Sequence, residues 1–212
     1  MQKKLEIKAM LKRHDKNYIL VIFIITVCSS VAFTNCDSRH PWLAANAVFY
    51  KEVFMGDFKI RKAEKEDISV LKELILGLAR HERRPQDVTG SEQRMCFWLF
   101  ERKIASALIA ELDGIAMGYA IYYPVYGSYA ASARVHLEDI FIKPEFQGNG
   151  YGTKLLSFIC RSVLAEGFSG MEWNALDFNK KSIGYYLKLG AKIEKGRTYF
   201  SFSEENMKKL EK

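Results

Sequence analysis

Cysteine is scarce in this chain and follows no pattern. Cys28, Cys36, Cys96 and Cys160 form no C-x-x-C pair, and His14, His40, His81 and His136 fall in no zinc-ligand spacing. A bound metal and a disulfide framework are therefore not expected. Cys96 and Cys160, set among apolar helix residues, read as small buried hydrophobes. A basic arm is missing as well. Residues 1–56 hold 8 Lys+Arg and 4 Asp+Glu, which leaves 24 and 21 of the chain's 32 and 25 for residues 57–212, or net charges of +4 and +3. The body is nearly balanced, so nucleic acid is not the expected partner. Two nucleotide loops are absent. No stretch matches G-x-x-x-x-G-K-[ST], and a G-x-G-x-x-G fingerprint would need glycine where Thr153 stands.

A length of 212 residues suits one domain with a sizeable core and a modest appendage. The first 54 residues read as that appendage. Lys3, Lys4, Lys8, Lys12, Arg13 and Lys16 precede an apolar run of 16 residues, Tyr18 to Phe33, short of the roughly 20 that span a bilayer. This pattern resembles a signal peptide or short anchor. Upstream sequence read through from a mis-set start codon is the alternative, because Met55 to Arg61 looks like a natural domain start. Residues 1–54 are thus expected to be an extension, and residues 55–212 the domain. A cytoplasmic protein is expected, or a membrane-associated one if the extension is a real anchor.

From Met55 the pattern alternates between strands and helices. Phe58 to Ala63 reads as a strand. Ile68, Leu71, Leu74, Ile75 and Leu78 recur at helical spacing behind Asp67. Thr89-Gly-Ser-Glu92 fits a capping box opening a helix to about Arg102. Ile104–Leu112 and Ile115–Val125 read as strands joined by an Asp113-Gly114 hairpin turn. A strand from Arg134 to Ile142 leads to a glycine-rich loop and a helix to Glu166, with Leu155, Leu156, Ile159 and Val163 on its buried face. A short strand from Met171 to Leu176, a helix from Lys181 to Leu189 stopped by Gly190, and strands at Ile193–Lys195 and Tyr199–Phe202 complete a mixed α/β sandwich of one domain.

The run from Leu137 through Glu138-Asp139 and Pro144 to Gln147-Gly-Asn-Gly-Tyr-Gly152 carries the chemistry. A loop of this kind turns several backbone N–H groups into one concavity, and the helix behind it adds its first-turn N–H groups and the positive end of its dipole. Phosphate, and here pyrophosphate, fits such a site. A plain glycine turn capping a helix is the alternative. Gln147-x-x-Gly150-x-Gly152 resembles the acyl-CoA-binding signature of the GCN5-related N-acetyltransferases. A second stretch, Asn179-Lys-Lys-Ser182-Ile-Gly-Tyr-Tyr186-Leu-Lys-Leu-Gly190-Ala191, is similar to that family's Asn-x-x-Ser-x-x-x-Tyr-x-x-x-Gly-Ala pattern. With Leu137-Glu138-Asp139 and Ala120-Ile-Tyr-Tyr123, the likeness is nearest to the diamine (spermidine/spermine) group.

The resemblance implies an α/β (α+β) domain whose mostly antiparallel sheet has splayed central strands flanked by helices. It implies acetyl-CoA as co-substrate, no metal, a small-molecule amine as acceptor and a homodimer. Ile140, Phe141 and Ile142 match positions beside the pantetheine arm. Gln147, Gly148, Asn149, Gly150, Tyr151, Gly152 and Thr153 match the pyrophosphate loop, and Asn179 and Ser182 lie near the cofactor arm. Tyr186 matches the acid that protonates the leaving thiolate, and a backbone N–H near Ile140 would meet the developing oxyanion. An alkylamine is neutral in only about one molecule in 2,500 at pH 7, so a proton acceptor is required. Glu138 is the candidate base; its plain alternative is a structural carboxylate, and for Tyr186 a core aromatic. Glu82, Tyr126, Glu138 and Asp139 are the expected acceptor-binding residues, with Tyr122 or Tyr126 open to a cation–π contact. The basic turn Arg83-Arg84 and Gly127 depart from the polyamine pattern, so a short diamine or a thialysine-like amino acid fits as well. Acetylation of protein lysines and a non-catalytic acyl-CoA-binding module are the competing readings.

Overall fold

In this computed structural model the described residues are 56–196 and 198–211. The expected N-terminal extension, residues 1–54, lies outside them. They divide into two compact units, one ending at Met171 and the other starting at Glu172.

In the first unit, β1 (Phe58–Lys62), β2 (Ser106–Leu112), β3 (Ile115–Gly127) and β4 (Ser132–Ile142) form an antiparallel ladder in chain order, and a short strand, β5 (Met171–Trp173), falls at the division between the units. The β2–β3 hairpin turns at Asp113 and Gly114, with φ of 52° and 80°. A two-residue turn of this hand matches the twist of the strands it joins. Asp113 also fastens the start of the ladder, accepting from the Asp57 N–H at 3.0 Å.

Helices cover both faces. Helix α1 (Ile68–His81) buries Ile68, Leu71, Leu74 and Ala79. Leu71 and Leu74 meet Ala107, Tyr119 and Phe141 in one cluster, with Ile75 and Leu78 packed against it. Each buried side chain of this size contributes about 1.5–3 kcal/mol. At Gly77 a Cβ would lie only 3.0 Å from the Phe141 ring, so the helix approaches the sheet closely there. Arg61 anchors the start of α1, bonding Asp67 at 2.6 and 2.8 Å and Glu111 at 2.9 Å. Bonding to the guanidinium holds the Asp67 carboxyl below its usual range. Helix α3 (Tyr151–Ala165) covers the other face with Leu155, Leu156, Ile159 and Val163. Phe141 faces Gly77 of α1, and the next residue, Ile142, lies 3.9 Å from a Cβ placed on Gly152 of α3. Adjacent strand residues point to opposite faces, which puts the two helices on opposite sides.

Several details differ from the sequence-based expectation. Ser91, not Thr89, caps α2 (Glu92–Cys96), its hydroxyl accepting from the Arg94 N–H, and the helix continues as one π-helical turn, Phe97–Glu101. Cys96 and Cys160 are free and only partly buried. The second unit holds α4 (Lys180–Lys188) and α5 (Glu204–Leu210). The strands expected at Ile193–Lys195 and Tyr199–Phe202 do not form among the described residues. Ile193, Tyr199, Phe200 and Phe202 are exposed instead. Strand preference alone does not hold a short segment extended; a partner ladder must satisfy its backbone.

Candidate active site

Strand β4 carries one kind of site at its bulge and another at its C-terminal end. Its middle is broken by a bulge. Ile121 of β3 stands opposite Asp139, but the next residue, Tyr122, stands opposite Leu137. Glu138 therefore has no residue across from it. An extra residue of this sort re-aims the side chains around it. Here it gathers Glu138, Asp139 and His136 with Tyr119 and Tyr123 of β3.

The contacts in this group are specific. The Tyr119 hydroxyl donates to Asp139 Oδ2 at 2.9 Å, and the Tyr123 hydroxyl to Glu138 Oε2 at 3.3 Å. His136 Nε2 lies 3.8 Å from the same Glu138 oxygen. The rings of Tyr123 and His136 stack, 5.1 Å between centroids and 28° between planes. Burial pushes the Asp139 carboxyl up to about 6, against the bond from Tyr119, and the charges of Glu138 and Glu82 push the same way. Tyr119 is fully buried, and burial followed by the charge of Asp139 holds its phenol far above the usual range. Glu82, which closes α1, is near enough to act on both groups. Glu138 itself keeps 54% of its side chain exposed. A partly buried acid and an exposed acid are thus neighbours at the bulge, with a third carboxylate near enough for its charge to act on the first. Such a set favours a cationic partner.

The site at the C-terminal end of β4 is built of backbone. Gln147 Nε2 donates to the Ile142 carbonyl at 2.9 Å, which folds the loop back onto the strand end. Asn149 Nδ2 reaches the carbonyls of Phe146 and Gln147, each at 3.3 Å. Gly148 and Gly150 take φ of 84° and 77°, and a Cβ on either would meet nothing within 4 Å. The left-handed backbone needs glycine, and the space above it is open. Gly150 caps α3 without a side-chain bond. Phosphate suits such a helix start. Beside it, a groove is lined by Phe58, Ile60, Thr153, Lys154, Phe158 and Arg161. Tyr151 packs on Phe58 at 4.8 Å, and the Lys154 ammonium lies 5.3 Å from both rings.

Asn179 and Ser182 fall in the second unit. Asn179 Oδ1 accepts from the Ser182 N–H at 3.1 Å and caps α4. Tyr186 of that helix is partly buried, its ring edge-on to Trp173 at 5.1 Å. Of the expected acceptor residues, Glu138 and Asp139 are neighbours at the bulge, and Glu82 is near enough for its charge to act on Asp139. Tyr126 does not join them: it is 74% exposed, and an odd number of places from Tyr123 in a regular ladder puts it on the opposite face. Tyr122 also faces away, toward α3, where burial and the Glu166 charge raise its phenol. Sequence reasoning missed Tyr119, Tyr123 and His136. The alternation of Tyr119 and Tyr123 was visible, but not the register that sets them beside the acids. Phe141 and Ile142 are buried on the two faces of β4, and Ile140 is partly buried. Among the described residues no group of three or more His, Cys, Asp or Glu side chains is arranged to hold a metal ion.

This sheet, with its bulged fourth strand and glycine loop, is the architecture of an acetyltransferase. The chain is similar to an integron cassette protein from the mobile metagenome of V. cholerae, at a TM-score of 0.62 and 21% identity over 73% of this chain and 98% of that one. Residues 73–191 match the Acetyltransferase (GNAT) family, and the chain belongs to that family. It is similar to thialysine N-epsilon-acetyltransferase of Sus scrofa, 32% identical over 168 residues, and to that of Mus musculus, 30% identical. Each alignment covers 74% of this chain and 98% of the relative. The protein is an N-acetyltransferase, and its family uses acetyl-CoA as co-substrate.

Proposed function

We propose that the protein transfers an acetyl group from acetyl-CoA to a primary amine of a small molecule, a thialysine-like amino acid or a short diamine. Glu138 and Asp139 side by side at the bulge carry this reading, with Glu82 at the end of α1 near enough for its charge to act on Asp139, since two or three carboxylates suit an acceptor with more than one ammonium group. Thialysine acetylation by the pig and mouse relatives supports the same class. The open loop Gln147–Gly152 fits pyrophosphate, and Lys154, in the first turn of the helix that follows, supplies positive charge.

In this reading Glu138 is the base. It sits exposed on the bulge, where an amine from solvent reaches it, while Asp139 and Glu82 hold the cation. The neutral amine attacks the thioester carbon, the C–N bond forms as the C–S bond breaks, and the nitrogen gives its surplus proton to Glu138. Tyr186 donates its hydroxyl proton to the departing sulfur. Trp173, edge-on to its ring, and the Asn179 cap hold Tyr186 and its helix in place. The catalytic domain is proposed to run over residues 55–212, as a cytoplasmic homodimer. Among the described residues no helix is long and apolar enough to cross a membrane.

A panel assay tests the proposal: purified protein, acetyl-CoA, and thialysine, ornithine, putrescine, spermidine and a lysine peptide as acceptors. Highest kcat/KM on thialysine or a short diamine is expected. Preference for the peptide would replace this reading with protein acetylation, and turnover of none would leave an acyl-CoA-binding module.

A further inference from the structure

The base proposed above stands on an exposed bulge, where a carboxylate with 54% of its surface in solvent has several rotamers to choose from. Something must hold it if it is to meet an amine in one geometry. We propose that Tyr123, itself held by stacking on His136, is the positioning residue for Glu138.

Three observations carry this. The Tyr123 hydroxyl bonds Glu138 Oε2 at 3.3 Å. Tyr123 and His136 face each other directly across β3 and β4, and their rings stack at 5.1 Å and 28°. The imidazole Nε2 approaches the same Oε2, at 3.8 Å, too far for a direct hydrogen bond. Both approaches fall on Oε2, and Oε1 is the oxygen proposed to accept the amine proton. The bulge is what makes the arrangement work. It places Glu138 beside the cross-strand pair instead of opposite a residue of its own. His136 is well buried, with 15% of its side chain exposed, so the stack has a fixed floor on which the Tyr123 ring rests. Asp139 does not duplicate this function, because its bond comes from Tyr119 on the other side.

The inference rests on Glu138 being the base, and the test separates the two. Steady-state kinetics would compare wild type, Glu138→Gln, Tyr123→Phe, His136→Ala and His136→Phe on the full chain. The assay would use acetyl-CoA and the panel amine turned over fastest, thialysine being the expected one. Tyr123→Phe and His136→Ala are expected to lower kcat about fivefold or more, with KM for amine and acetyl-CoA unchanged within about twofold. His136→Phe keeps a ring under Tyr123 and should recover most of the lost kcat. Adding Tyr123→Phe to Glu138→Gln should cost nothing further, since the group being positioned is gone. Full activity of Glu138→Gln would remove the base and this inference with it. An impaired Glu138→Gln beside a fully active Tyr123→Phe would overturn the positioning alone. So would a His136→Phe no better than His136→Ala, or an added loss in the double variant. Melting temperatures within a few degrees of wild type separate a lost contact from a lost fold.

Discussion

The bulge and the C-terminal end of β4 hold opposite kinds of recognition. At the loop end, Gly148 and Gly150 adopt left-handed backbone under open space, and the working groups are main-chain amides at the start of α3. At the bulge, the working groups are side chains, Glu138, Asp139, Tyr119, Tyr123 and His136, brought together by a slip in register. The proposed anion site is a backbone concavity that the right glycines build. The proposed cation site is a set of acids whose positions depend on a neighbouring strand. The first kind tolerates change in side chains but not in glycines. The second tolerates change in backbone composition but not in pairing.

That contrast can be broken, and the largest effect belongs at the bulge. Glu138→Gln removes the proposed base while keeping size and hydrogen bonding. A loss of about a hundredfold or more in kcat is expected, with acetyl-CoA affinity unchanged. Stopped-time product assays with calorimetry of acetyl-CoA decide it; a near-normal kcat would reassign Glu138 as a structural carboxylate.

A smaller loss is expected from Tyr186→Phe, which keeps the edge-on contact with Trp173 and removes one hydroxyl. The thiolate is already a good leaving group, so kcat should fall somewhat more than tenfold and acetyl-CoA affinity should stay. Undiminished turnover would make Tyr186 a packing residue.

At the loop end, the expectation reverses: affinity should change. Gly150→Glu places a side chain at φ 77°, a conformation costing about 1–2 kcal/mol, and sets a carboxylate where phosphate is proposed. Acetyl-CoA binding should weaken at least tenfold, about 1.4 kcal/mol. Calorimetry showing wild-type affinity would mean that the loop does not hold the pyrophosphate.

The remaining change leaves the loop and the reaction aside and concerns stability. Asp139 has its carboxyl raised to about 6 by burial, so the fold favours the protonated form. Its stabilising effect is complete below about pH 4 and is lost as pH rises through about 6. Asp139→Asn keeps an acceptor for the Tyr119 hydroxyl and removes the buried charge. The variant should match wild type at pH 4 and exceed it by about 2–3 kcal/mol at pH 8. Urea melts at the two pH values give the comparison, and an equal difference at both would rule out the titration of Asp139 as the cause.

Much was legible from local pattern. Leu71, Leu74 and Leu78 marked the buried face of α1 by spacing, and Asp113-Gly114 marked its hairpin by turn chemistry. The expected strand at Tyr199–Phe202 failed because alternation says nothing about whether a partner edge exists. Among site residues, Tyr126 was expected at the acceptor and Tyr123 was not, and only the ladder separates them.

By itself, then, the order of residues determined the family, the alternation of strands and helices and the glycine loop. These depend on φ preference and helical or strand period, both of which are local. The tertiary structure decided the bulge at Glu138, the face on which each tyrosine stands and the raised carboxyl of Asp139. Those depend on which residues of two strands meet and on how much water the packed helix excludes, and neither quantity exists until the chain has folded.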